Sequence, residues 1–217
     1  IDRLHTTAET HNRIMVLEVM GRFAGWIALE SAISGGADVA LIPEIPYDIN
    51  KAAQAIKARQ AKGKNFSIVV VSEGAMSKDG ENETHSAEGI DSQAGISVKF
   101  GGIGQKVAKE LQDLTGLESR CTVLGYMQRG GTPTAYDRVL STKYGAKAME
   151  LAMEEKFGVL TVIHNGNLTS VPLEEVVGNN KELGAVQGGT EDSNVRLVTM
   201  DDDLVKTARD IGICLGD

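Results

Sequence analysis

The chain has 217 residues, 41% of them hydrophobic and 24% charged, with a net charge of −8. That balance is close to the globular average in a chain long enough to bury its own core, and excludes a disordered, collagenous or disulfide-scaffold protein. The acidic excess argues against a nucleic-acid surface, and no apolar run approaches the ~20 residues of a membrane helix.

Residues 1–12 read as the tail of a helix, as if the chain were a piece of a longer polypeptide. Arg13–Val19 is a short apolar run between polar residues and predicts a strand, with a turn at Met20-Gly21-Arg22. Phe23, Trp26, Ile27 and Ile33 fall at helical spacing, predicting a helix over 23–34 that Gly35-Gly36 stops. Asp38–Ile42 predicts a second strand, closed by Pro43. Residues 49–61 predict an amphipathic helix, and 66–72 a third strand whose β-branched run suits a parallel sheet covered on both faces. The polar, Gly/Ser-rich stretch 73–99 predicts a surface excursion. A helix follows over 103–114, a strand over 120–124, a glycine-rich loop over 125–134, the longest helix over 136–156 and a fifth strand over 159–163. Asn165-Gly166 marks a hairpin turn before an extended run at 168–171, and a short helix is expected over 204–211. Strands alternating with helices predict an α/β fold of parallel sheet layers flanked by helices.

Cys121 and Cys214 sit in or beside apolar segments and read as buried free thiols, which fits a reducing, cytoplasmic setting. No signal peptide is expected. The four histidines lie far apart without metal-ligand spacing, and His85 falls in the polar excursion.

The arginines carry more. Arg13-x-x-Val16-Leu17-x-x-Met20-x-Arg22 is echoed by Arg120-x-x-Val123-Leu124-x-x-Met127-x-Arg129, placing four of the nine arginines at the ends of two strands. Nine near-extended residues span roughly 30 Å. Ligands of an open parallel sheet bind beyond the carboxyl ends of the strands, where Arg22 and Arg129 lie. Arg13 and Arg120 lie at the opposite edge and cannot reach the same small molecule within one subunit. Because guanidinium matches phosphate with a bidentate fork, the two pairs suggest half-sites completed by different subunits. The competing reading is that each arginine caps a carbonyl or pairs with a surface carboxylate. Glu73, at the end of the third strand, would face the carboxyl-end crevice and could accept hydrogen bonds from sugar hydroxyls. Lys62-Gly63-Lys64 reads first as a helix C-terminal cap.

Several motifs occur together and in order: Val19-Met20-Gly21-Arg22, Ala24-Gly25-Trp26, Gly35-Gly36-Ala37-Asp38, Ile42-Pro43-Glu44, Ser72-Glu73-Gly74, Leu124-Gly125-Tyr126-Met127-Gln128-Arg129-Gly130-Gly131-Thr132-Pro133 and Tyr136-Asp137-Arg138. Together they resemble the 6-phosphofructokinase family over nearly the whole chain. Asp2-Arg3-Leu4-His5-Thr6-Thr7-Ala8-Glu9 is similar to its bacterial pyrophosphate-dependent and mixed-donor branch.

The resemblance implies phosphoryl transfer to O1 of fructose 6-phosphate, with ATP or pyrophosphate as donor, Mg2+, and a homo-oligomer, dimer or tetramer, without nucleic acid or membrane. It implies that Met20, Gly21 and Arg22 line the sugar phosphate and the transferred group, with Arg22 catalytic. Glu73 would hold sugar hydroxyls, and Tyr126 and Arg129 would bind substrate. Arg13 and Arg120 would grip the 6-phosphate from the neighbouring subunit. Asp38, Lys62 and Lys64 fall where some members bind a nucleotide effector. Tyr126 departs from the histidine of many ATP-dependent members. The family's Gly-Gly-Asp-Gly-Ser and Thr-Ile-Asp-Asn-Asp segments, which carry donor, magnesium and the catalytic Asp, are not in the sequence. The implied division is a sugar-phosphate domain over 1–129, a return segment of the donor domain over 130–185, and a C-terminal segment over 186–217 that packs back on the first. A non-catalytic sugar-phosphate or nucleotide-binding regulatory module is the alternative function.

Overall fold

The computed structural model describes residues 1–80, 90–91, 95–96, 101–177 and 196–217. In chain order its elements are α1 (Asp2–His11), β1 (Ile14–Val19), α2 (Trp26–Gly35), β2 (Val39–Leu41), α3 (Ile49–Ala61), β3 (Ser67–Ser72), β4 (Ile90–Asp91) and β5 (Gly95–Ile96). They continue with α4 (Ile103–Thr115), β6 (Ser119–Val123), a 3-10 turn (Gly125–Arg129), α5 (Ala135–Met153), β7 (Val159–His164), β8 (Asn167–Pro172), α6 (Leu173–Val177) and α7 (Asp203–Asp210). The chain divides into two compact units, Ile1–Gln128 with Val195–Asp217, and Arg129–Asn194.

The first unit is built on a four-stranded parallel sheet in the order β2-β3-β1-β6. All six residues of β1 and all six of β3 are buried. Alternation sends them to opposite faces. Met15, Leu17 and Val19 pack with Ala28, Leu29 and Ala32 of α2 and Val205 and Ala208 of α7. Ile14 and Val16 pack with Ala52, Ala53 and Ile56 of α3 and Val107 and Leu111 of α4. Helices therefore cover both faces, which is why these strands read as continuous apolar runs. Beyond β2, Ala40 N–H donates to the Cys214 carbonyl at 2.9 Å and Cys214 N–H to the Asp38 carbonyl at 3.0 Å, so the C-terminal segment covers that edge.

Local chemistry explains the element ends. Asp48 caps α3 by accepting the Asn50 N–H, and α5 opens on a reciprocal capping box between Thr134 and Asp137. At the end of α3, Gly63 N–H reaches the Gln60 carbonyl and Lys64 N–H the Arg59 carbonyl, a Schellman arrangement around a left-handed Gly63.

The second helix starts at Trp26, three residues later than its apolar spacing predicts. The Glu44 carboxylate takes the Gly25 N–H at 2.9 Å and sets the start there. A β-carbon on Gly25 would stand 2.4 Å from Ile42. The buried face is Ala28, Leu29 and Ala32, while Ile27 is exposed.

The predicted fifth strand, β7, also differs from expectation. It pairs antiparallel with β8 in the second unit rather than joining the parallel sheet. Asn165 and Gly166 both take positive φ (49° and 79°), which closes a tight hairpin. The glycine-rich loop begins as the 3-10 turn. Within the predicted excursion β4 and β5 form a short antiparallel pair; residues 81–89, 92–94 and 97–99, His85 among them, lie outside the described residues.

Candidate functional site

The backbone leaving β1 makes a turn that two glycines permit. Arg22 adopts φ 49° and Gly21 φ 156°. A β-carbon on Gly21 would stand 2.5 Å from the Ala24 carbonyl oxygen, and one on Gly74 1.8 Å from that of Arg22. The turn is thus wedged against the loop that follows β3.

Three successive backbone donors of this turn are held by side chains. Gly21 and Arg22 donate N–H to Glu73 Oε1 at 3.2 and 3.1 Å. Met20 donates to Gln128 Oε1 at 2.8 Å. The two N–H groups that converge on one point form a concavity of the kind that takes an anion, and the Glu73 carboxylate occupies it. Met20, Gly21, Arg22 and Glu73 are therefore together at the carboxyl end of the sheet. Tyr126 lies on the 3-10 turn and is 80% exposed. Arg129 opens the second unit and belongs to that body.

A second cluster forms at the amino edge. Parallel register sets Ile14 beside Ser119 and Met15 beside Arg120. Arg13 Nε donates to Glu118 Oε2 at 2.7 Å, and an Arg120 guanidinium nitrogen donates to the other oxygen of the same carboxylate. The two guanidiniums, Arg13 first, hold Glu118 below the usual carboxylate range. In this structure, then, both arginines do pair with a surface carboxylate, and the same carboxylate brings them together.

Asp38 is engaged internally. One carboxylate oxygen accepts the Ile68 N–H at 2.9 Å and the other pairs with Arg59 at 2.8 Å. Burial pushes its carboxyl up, against the opposing pull of the Ile68 bond and Arg59. Lys62 and Lys64 sit on the exposed turn that ends α3.

Two buried or bridging carboxylates went unmarked in the sequence. Glu18, only 3% exposed, accepts N–H bonds from Gly102 and Gly104 at the start of α4, at 3.3 and 2.8 Å. Glu44 joins the Gly25 N–H to that of Val198, tying the C-terminal segment to the start of α2. A charged residue inside the apolar run Val16-Leu17-Glu18-Val19 has to find partners, and that was the available signal. Cys121 lies beside Glu18. Burial, with the Glu18 charge adding, pushes its thiol up to about 11.

Among the described residues no group of three His, Cys, Asp or Glu side chains is placed to hold a metal ion, and no helix is long and apolar enough to cross a membrane.

The parallel sheet with helices on both faces defines an α/β protein. The Phosphofructokinase family model matches residues 1–152, and the chain belongs to that family. It is 47% identical over 218 residues to an ATP-dependent 6-phosphofructokinase 2 of Clostridium perfringens, covering 100% of this chain and 55% of that protein. It is 45% identical over 217 residues to an ATP-dependent 6-phosphofructokinase of Chloroflexus aurantiacus, covering 100% of this chain and 54% of that protein. The chain thus spans about half the length of the curated relatives it matches. Among solved structures, phosphofructokinase from Saccharomyces cerevisiae superposes with a TM-score of 0.68 at 28% identity, over 97% of this chain and 24% of that one. A pyrophosphate-dependent phosphofructokinase from Marinobacter aquaeolei shares the fold, with a TM-score of 0.63 at 21% identity over 99% of this chain and 55% of that one.

Proposed function

We propose that the full-length protein is a 6-phosphofructokinase. It moves the terminal phosphoryl group of ATP to O1 of fructose 6-phosphate, giving fructose 1,6-bisphosphate and ADP. The names of its curated relatives support ATP as the donor. The observation that carries the reading is the placement of two donor clusters at opposite ends of the β1–β6 and β1–β3 pairs, each held by a carboxylate: Met20–Arg22 on Glu73, and Arg13 with Arg120 on Glu118.

Phosphoryl transfer asks a protein chiefly for positioning and charge stabilisation. Arg22 supplies positive charge beside the transferred group. Met20 and Gly21 shape the turn that receives the sugar phosphate, and Glu73 accepts from sugar hydroxyls. Tyr126 and Arg129 are further substrate contacts. Arg13 and Arg120 take the 6-phosphate of the neighbouring subunit's site, which makes the active form a homo-oligomer. Residues 1–129 supply most of the sugar-phosphate domain, 130–185 belong with the donor domain, and 186–217 return to the first. Asp38, Lys62 and Lys64 form an effector site for a nucleotide. None of these residues is assigned as the proton acceptor for O1 or as a ligand of Mg2+, which would offset charge on the donor phosphates.

The test is a coupled assay of the full-length protein with fructose 6-phosphate and either ATP or pyrophosphate. ATP-dependent formation of fructose 1,6-bisphosphate is expected, and the 217-residue chain alone should show no turnover. Inactivity of the full-length protein with both donors would favour a non-catalytic binding module.

A further inference from the structure

In the sheet β1 lies between β3 and β6, and the backbone leaving it is held from both sides. From the β3 side Glu73 takes the N–H groups of Gly21 and Arg22. On the β6 side the ladder ends where Leu124 N–H reaches the Glu18 carbonyl at 3.2 Å. The chain then winds into the 3-10 turn, starting at a left-handed Gly125 with φ 49°. That winding returns the Gln128 side chain to β1, where Oε1 accepts the Met20 N–H at 2.8 Å across 108 residues of sequence.

The turn needs such holding. A non-glycine residue with positive φ costs free energy and persists only where its surroundings over-determine it, and Arg22 is such a residue. The chemistry of the holder also fits. A neutral amide accepts a backbone N–H without adding a second negative charge to a turn that must admit phosphate, where Glu73 already contributes one.

We propose that Gln128 is a positioning residue for phosphoryl transfer: by holding the Met20 N–H it fixes the turn that presents Gly21 and Arg22 to the phosphorylated substrate. This rests on reading that turn as the sugar-phosphate site.

The test compares Gln128→Leu, which cannot accept the bond, with Gln128→Glu, which can, in the full-length protein. Two quantities are measured: amide hydrogen exchange of Met20 without substrate, and kcat and KM for fructose 6-phosphate. In the Leu variant the Met20 amide should exchange about tenfold faster and kcat fall about tenfold, as for loss of one hydrogen bond, with neighbouring β1 amides unchanged. The Glu variant should keep Met20 protected while its added charge raises KM severalfold. It also decides the contact if the Leu variant does not fold, since an unprotected Met20 there overturns it. A Leu variant of an active enzyme with kcat within about twofold of wild type, or with unchanged Met20 exchange, overturns the role alone. An inactive wild-type protein overturns the proposed function and this role with it.

Discussion

Arg13 and Glu118 lie 105 residues apart in sequence, yet the Arg13 Nε donates to the Glu118 carboxylate at 2.7 Å. Parallel pairing of β1 and β6 makes them neighbours, and Arg120 joins the same carboxylate. Exposed ion pairs of this kind add little stability. Arg13→Ala should therefore leave the melting temperature within about 2 °C of wild type, while raising KM for fructose 6-phosphate at least about tenfold, as expected for loss of a charged hydrogen bond to phosphate. Steady-state kinetics and a thermal melt on one preparation check both. A large melting shift with unchanged KM would make the cluster a structural one.

Arg22→Ala keeps a β-carbon, so it leaves the positive-φ strain at that position in place while removing the guanidinium and the stem that carries it. If that group stabilises charge in the transition state, kcat and kcat/KM should fall together by about a hundredfold. A rise in KM at constant kcat would make Arg22 a ground-state ligand.

Gly74→Ala puts a methyl group 1.8 Å from the Arg22 carbonyl oxygen. The obstacle is backbone, so the turn itself must move. A stability loss of about 1–3 kcal/mol is expected from the overpacking, together with loss of most activity. Denaturant unfolding and a kinetic assay of this variant check it, and a variant as stable and active as wild type would mean the turn yields more easily than its packing implies.

The Cys121 thiol, raised from 9.0 to about 11, makes stability depend on alkaline pH. The unfolded thiol loses its proton first, so the contribution of Cys121 is complete below pH 9.0 and is lost as pH rises towards 11. Urea midpoints at pH 8 and 10.5 should fall further for the wild type than for Cys121→Ala. Equal falls in the two proteins would assign the alkaline loss to other groups.

Elements whose signals are local were legible in the sequence. The span of α3 over 49–61, the buried runs of β1 and β3 and the Asn165-Gly166 hairpin each follow from periodicity or from a turn that demands positive φ. What escaped was set by distant partners. The start of α2 depends on Glu44, nineteen residues away, and on the close approach of Gly25 to Ile42. Position in the fold, though not role, was legible for two of the candidate site residues. Arg22 and Glu73 stand at strand ends, where the parallel-sheet rule looks for them. Gln128 stands inside the 124–133 motif, but its partner, like that of Glu118, lies more than 100 residues away and no local pattern names it.

In the proposed homo-oligomer, one sugar-phosphate site is assembled from the carboxyl-end turn of one subunit and the amino-edge arginines of another. Mixing Arg13→Ala and Arg22→Ala full-length proteins tests it most directly. After dissociation and reassembly, a hybrid dimer should hold one site with both arginines intact and, at fructose 6-phosphate well below the raised KM, turn over faster than either parent. Hybrids confirmed by native mass spectrometry that turn over no faster than the parents at that substrate level would contradict the shared site and place each site within one subunit.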